Sequence, residues 1–138
     1  MSRKSVLIAL MLGIVMVAAR ISFAADPLEV APDKYTLQFE NDKVRVMQVT
    51  IKPGENIPEH SHPDHFVYCL EGGTVQITKA DGTVSTVDVK VGDIVWINAE
   101  THSAVNTGTT TVRLLVTELK GQYTKTEPAA TAAMPETK

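Results

Sequence analysis

The run His60-Ser61-His62-Pro63-Asp64-His65 places three imidazoles within six residues and leads into Phe66-Val67-Tyr68-Cys69-Leu70-Glu71, an apolar segment closed by Gly72. Side chains on a strand alternate faces, so His60 and His62 point the same way, about 7 Å apart. With Pro63-Asp64 as the tip of a tight hairpin, His62 and His65 become cross-strand partners on one face, and three ring nitrogens converge. Proline in the tip also admits a longer loop, which would displace His65 from the cluster. The chain holds four histidines, and the fourth is His102 in Thr101-His102-Ser103-Ala104-Val105-Asn106. A first-row metal takes several neutral imidazoles, whereas an unpaired buried histidine is costly. The clustering therefore points to a metal site rather than a histidine-rich surface loop.

The rest of the chain reads as strands punctuated by turn residues. Tyr35 to Glu40 is a first strand, Asn41-Asp42 a turn, and Lys43 to Lys52 a β-branched second strand that Pro53-Gly54 ends. Glu55 to His62 approaches the histidine corner, Phe66 to Glu71 returns from it, and Gly72-Gly73 turns again. Asp81-Gly82 pairs Thr74 to Lys79 with Thr83 to Val89. Ile94 to Asn98, His102 to Asn106 and Thr111 to Leu119 complete the set, and no stretch between the ends has helical spacing. Short, evenly spaced strands imply an all-β sandwich or barrel, for which a jelly roll has the required strand count. In such a double sheet the strands bearing His60, His62 and His102 become neighbours. Val67, Cys69, Trp96 or its neighbours, and Val105 are expected to face inward with them.

The two ends differ from this pattern. Residues 1–24 read as a signal peptide: Arg3 and Lys4 form a basic start, Val6 to Ala19 an apolar centre, and Ser22-Phe23-Ala24 a small-residue cleavage site. The apolar centre is short of the about 20 residues that span a bilayer, and Arg20 interrupts it, so no stable membrane anchor is expected after cleavage. The expected location is periplasmic or secreted. Residues 25–34 form an extended lead-in, 35–120 the folded domain, and 121–138, rich in Thr, Ala and Pro, a disordered tail. Residues 1–24 hold three of the bases and no acid, so the remainder sets ten bases against sixteen acids. Such a surface repels nucleic acid and anionic lipid. The single thiol, Cys69, forms no internal disulfide and reads as a small core hydrophobe.

The residues around the histidines resemble the two motifs of the cupin superfamily. In the first, Gly54, His60, His62 and Gly72 fall in place, and His65 stands where the family carries a metal-binding glutamate, after a loop one or two residues shorter. In the second, Gly92, His102 and Asn106 match, with Ile97 and Ala99 where the family has proline and glycine. More narrowly, His60-Ser61-His62-Pro63-Asp64-His65-Phe66-Val67-Tyr68 with Gly92-Asp93-Ile94-Val95-Trp96-Ile97 is similar to small single-domain cupins of the beta-alanine degradation (BauB-like) type. The resemblance spans about Tyr35 to Leu119 and implies a double-stranded β-helix, a metal held by His60, His62 and His102 with His65 as a further ligand, and a homodimer formed through sheet edges.

Three or four imidazoles leave open positions on a six-coordinate ion, and imidazole suits Fe, Mn, Ni, Cu or Zn. Exchanging the family's glutamate for His65 removes a negative charge and makes the divalent transition metal a stronger Lewis acid toward a chelating organic acid. The leading expectation is a metal-dependent enzyme of the dioxygenase or a related type acting on a small-molecule substrate. A non-catalytic cupin that binds a metal or small ligand, and a metal used only to stabilise the barrel, remain open beside it. Glu55, Glu59 and Glu71 lie near the cluster in sequence, but acids at strand ends are usually solvated. Tyr68 is either a hydrogen-bond donor to a bound anion or a packing residue.

Overall fold

The computed structural model describes residues 25–121; the signal segment and, Gly121 apart, the tail expected from the sequence lie outside the described residues. Among the described residues nine strands follow one short helix: α1 (Pro27–Val30), β1 (Tyr35–Glu40), β2 (Val44–Ile51), β3 (Asn56–His62), β4 (His65–Glu71), β5 (Gly73–Lys79), β6 (Val84–Val89), β7 (Ile94–Ile97), β8 (Glu100–Asn106) and β9 (Val112–Leu119). They form a five-stranded sheet, β1-β2-β9-β4-β7, and a four-stranded sheet, β3-β8-β5-β6, with antiparallel pairing throughout. This is the expected all-β jelly roll. Among the described residues no helix is long and apolar enough to cross a membrane.

Between the sheets Met47, Val49 and Ile51 of β2 pack with Ile57, Val75, Ala104, Val112 and Val116. Alternation supplies this core, since every second residue of β2 and β9 turns inward. At the β5–β6 connection Gly82 takes φ +85°, the left-handed conformation a tight turn needs, and Gly82 N donates to Lys79 O at 2.9 Å. Gly72 is required for a different reason. A Cβ there would stand 2.5 Å from the backbone oxygen of Val89, so the chain can pass only without a side chain.

Three expectations need correction. The lead-in is not wholly extended: Asp26 caps α1 through its side chain, accepting from Leu28 N at 2.8 Å, and Pro27 occupies the first turn. Four residues are too few for a hydrophobic period, so the Asp-Pro cap was the only available signal. Secondly, Pro63-Asp64 is not a hairpin tip. β3 pairs with β8, while β4 pairs with β7 and β9, so the link steps from one sheet to the other. Asp64 pins this step on both sides, its backbone oxygen accepting from Leu119 N at 2.9 Å and its carboxylate from Ala99 N at 2.7 Å. Thirdly, while the neighbours of Trp96, Val95 and Ile97, face inward as the sequence allows and Trp96 itself is 53% exposed, the inward phase of β8 is His102, Ala104 and Asn106 rather than Val105. β8 carries no bulge against β5, so its phase runs straight on from His102.

Candidate metal centre

The two sheets bring all four histidines to one end of the core. His60 and His102 are directly opposed on β3 and β8. A register shift between Ile57 and His60, at Pro58, sets His60 and then His62 on the inward face. Proline fits there because β3 is an edge strand and the bulge leaves its missing N–H without consequence. His65 enters from the other sheet as the first residue of β4, opposite Glu118 on β9 and Ile97 on β7. The expectation that His62 and His65 face each other across a hairpin therefore fails, yet the sheet crossing still brings their ring centroids to 4.7 Å.

His60, His62, His65 and His102 are all buried. One ligand nitrogen from each of His60, His62 and His102 lies within 4.8 Å of the others, so these three could hold a metal ion; His65 lies beside His62, outside that triad. Imidazoles about 2.1 Å from one ion stand at most about 4.2 Å apart, so binding calls for only a small inward rotation of the rings.

The hydrogen bonds fix the rings in one tautomer. Nδ1 of His60 donates to Pro58 O at 2.7 Å, and Nδ1 of His65 donates to Pro63 O at 2.7 Å. Nδ1 of His62 donates to Glu118 Oε1 at 2.6 Å, and Nδ1 of His102 donates to Glu100 Oε1 at 2.7 Å. A backbone carbonyl and an ionised carboxylate only accept, so each Nδ1 carries a proton, and an uncharged ring then has its lone pair on Nε2. Such outer partners orient metal-binding imidazoles and raise their basicity. His60, His62 and His102, held in this way, could take up a metal ion. For His60, His65 and His102 burial is the main force lowering the imidazole pKa, that of His60 to about 4, which keeps the rings uncharged.

Glu118 sits at the centre of the supporting network. Burial pushes its pKa up, but hydrogen bonds from His62 and Arg45 outweigh that and hold it below the usual carboxylate range. Arg45 Nε donates to Glu118 Oε2 at 2.7 Å, and Arg45 Nη1 reaches Asp26 at 2.5 Å, tying the lead-in to the site. Glu100 is likewise held low: burial opposes the shift, and Lys79, 2.9 Å away, together with His102 overcomes it. Tyr35 completes the cluster. Its hydroxyl donates to His60 Nε2 at 3.3 Å, and burial first, Glu118 second, raise its pKa so that it stays a neutral phenol.

Glu118, Glu100 and Tyr35 were not anticipated. Glu118 had a legible signal, since it falls on the same alternation as the buried Val112 and Val116, where an acid needs a partner. Glu100 lies two residues from His102 and so shares its face. Tyr35 had none. The acids considered near the cluster stand elsewhere: Glu55 accepts from Lys52 N, Glu71 pairs with Arg113 at 2.6 Å, and Glu59 is exposed. Tyr68 falls on the alternate phase of β4 from His65, Val67 and Cys69, away from the site. Asn106 has a structural role, with Nδ2 donating to Ile51 O and Thr110 O at 2.8 Å and Oδ1 accepting from Gly108 N at 3.0 Å.

A cavity of about 80 Å³ adjoins the cluster, lined by His62, His65, His102, Tyr35 and otherwise aliphatic side chains. A second of about 260 Å³ lies against it, sharing Val67, Ile77, Ile97 and Leu114.

Several solved structures share this architecture. A cupin domain from Bordetella pertussis is 22% identical, with a TM-score of 0.59, over 63% of this chain and 92% of its own. A double-stranded β-helix protein of the RmlC-like cupin family from Methanocaldococcus jannaschii is 16% identical, with a TM-score of 0.52, over 62% and 78%. The polyketide cyclase RemF from Streptomyces resistomycificus is 24% identical, with a TM-score of 0.50, over 63% and 64%. At such identities the likeness shows the fold alone. No curated protein matches the chain. The family profile described as "Cupin domain" matches residues 47–118, which carry all four histidines and Glu118, and on that match and the shared fold the chain belongs to the cupins.

Proposed function

We propose that this chain is an exported single-domain cupin that holds a divalent transition metal at His60, His62 and His102, with His65 as a fourth ligand, and binds a small chelating organic acid there. The observation that carries the reading is the common tautomer of the four rings, each with Nδ1 spent on an outer acceptor and Nε2 left for an ion. Bound there, the metal would supply Lewis acidity or, as iron(II), the activation of O₂.

The chain's own residues narrow the chemistry further. The aliphatic lining leaves few polar groups beside the cluster to compete for a ligand. Apart from the histidines, Tyr35 is the one ionisable side chain lining that cavity, and as a neutral phenol it donates rather than abstracts a proton. Once His60 Nε2 is taken by a metal, its hydroxyl is released to hydrogen-bond an anionic oxygen of the ligand. A site without a protein base favours dioxygenase-type turnover over reactions that need proton abstraction by a side chain. The same lack also supports the second reading, a cupin that binds its ligand without turnover. Export rests on the basic start, apolar centre and Ser22-Phe23-Ala24 of the leading segment.

Elemental analysis of the purified chain, followed by oxygen-electrode measurements on the iron(II)-loaded protein with carboxylates, diketones, thiols and phenols, tests these readings. Stoichiometric metal with oxygen uptake supports the enzyme. Stoichiometric metal with ligand binding and no uptake leaves the binding protein, and no metal retention contradicts both.

A further inference from the structure

The metal-centre reading leaves unused the larger cavity, about 260 Å³, which opens between β6 and β7. These are the end strands of the two sheets, and among the described residues no strand bridges them. Ser85, Val87 and Val89 line the cavity from β6, and Val95 and Ile97 from β7. Val87 and Val95 are each 41% exposed, so the cavity opens to solvent at this seam. Its walls are aliphatic except for Ser85 and the Lys79–Glu100 pair at one side. It is larger than the cavity of about 150 Å³ that admits benzene.

The charges around the histidines set the other half of the ligand. An imidazole bound to a metal is an uncharged ligand, and each outer carboxylate already has a cation: Arg45 for Glu118 and Lys79 for Glu100. A divalent ion among neutral rings keeps a net positive charge that a ligand's anion would offset, and the apolar surroundings strengthen that attraction.

Resting on the metal-centre reading, we propose that the chamber between β6 and β7 seats the apolar body of a ligand whose single anionic head lies at the histidine cluster. The ligand class is a monocarboxylate or enolate carrying one ring or a short hydrocarbon chain, which enters at the seam and passes between Val67, Ile77, Ile97 and Leu114. Lys79 is already paired with Glu100, which makes it a weak receptor for a second anion.

The test titrates the cobalt(II)-loaded full chain with acetate, butanoate, hexanoate, octanoate, benzoate and adipate, read by calorimetry and the visible bands of cobalt. Affinity should rise by about three- to fourfold per methylene while the chain is being buried, and by at least about tenfold from acetate to hexanoate. Adipate should bind more weakly than hexanoate. Ser85→Trp, which fills the chamber at an exposed edge, should bring hexanoate down to the affinity of acetate while leaving cobalt binding unchanged; Val87→Asp should do the same by charge. Cobalt binding with affinity independent of chain length, or adipate tighter than hexanoate, overturns the chamber assignment alone. Val87→Asp altering self-association but not hexanoate affinity assigns the seam to a second copy of the chain and also overturns it. Failure to take up cobalt overturns the metal centre and this assignment together.

Discussion

At the residue scale, the hydrogen bonds behind the rings give the site its chemistry. Glu118 aligns His62 and is itself held by Arg45, so its charge is delivered to one ring nitrogen. Glu118→Gln keeps the volume and removes that charge, and metal affinity should fall about 10- to 100-fold in a chelator competition while the protein stays folded. His62→Ala should abolish stoichiometric binding in the same assay. The depressed imidazole pKa values also set a pH dependence for the metal-free protein. In the unfolded chain a histidine takes a proton near pH 6.5, whereas folded His60 does so only near pH 4. Between these values the unfolded state binds more protons, so stability is full above about pH 6.5 and is lost as pH falls toward 4. Urea unfolding at a series of pH values checks this; a midpoint that rises as pH drops through the window would contradict buried neutral rings.

At the scale of elements, strand positions were readable because β-branched runs and Gly-containing turns alternate closely along the chain. β1 begins and ends at the residues expected from the sequence, and Asp81-Gly82 joins β5 to β6. What was not readable was which strand each one pairs with. Three histidines around Pro63-Asp64 suit a hairpin locally, and only the long-range pairing of β3 with β8 and β4 with β9 shows the link to be a crossing. The inward phase of β8 was lost for a related reason: expecting bulges near the site leaves every alternation ambiguous, and β8 has none. Glu118 lies on the central β9, far from the histidines in sequence, so its alternation with Val112 and Val116 marks it as inward but does not tie it to them. Asn106 fixes the ends of β8 and β2 and the following loop from the core side. Asn106→Ala would strand Ile51 O and Thr110 O without partners, and it should cost about 3 kcal/mol in thermal or urea unfolding. A cost below about 1 kcal/mol would show that water replaces the amide.

At the scale of the whole molecule, two sheets close on a core that is aliphatic across the middle and imidazole-lined at one end. Both bring histidines to that end: β3 and β8 carry His60, His62 and His102, and β4 carries His65 beside them. An ion held by all four rings, as proposed, would tie the sheets together and favour the folded state. Loading metal to about 1,000 times its dissociation constant should stabilise the fold by about 4 kcal/mol, and a chelator should reverse the gain in a melting experiment. X-ray absorption spectroscopy of the protein carrying one equivalent of zinc reads the central claim most directly. At least three imidazole nitrogens are expected about 2.0–2.1 Å from the metal. A shell built only of oxygen, or zinc that does not bind in stoichiometric amount, would contradict it.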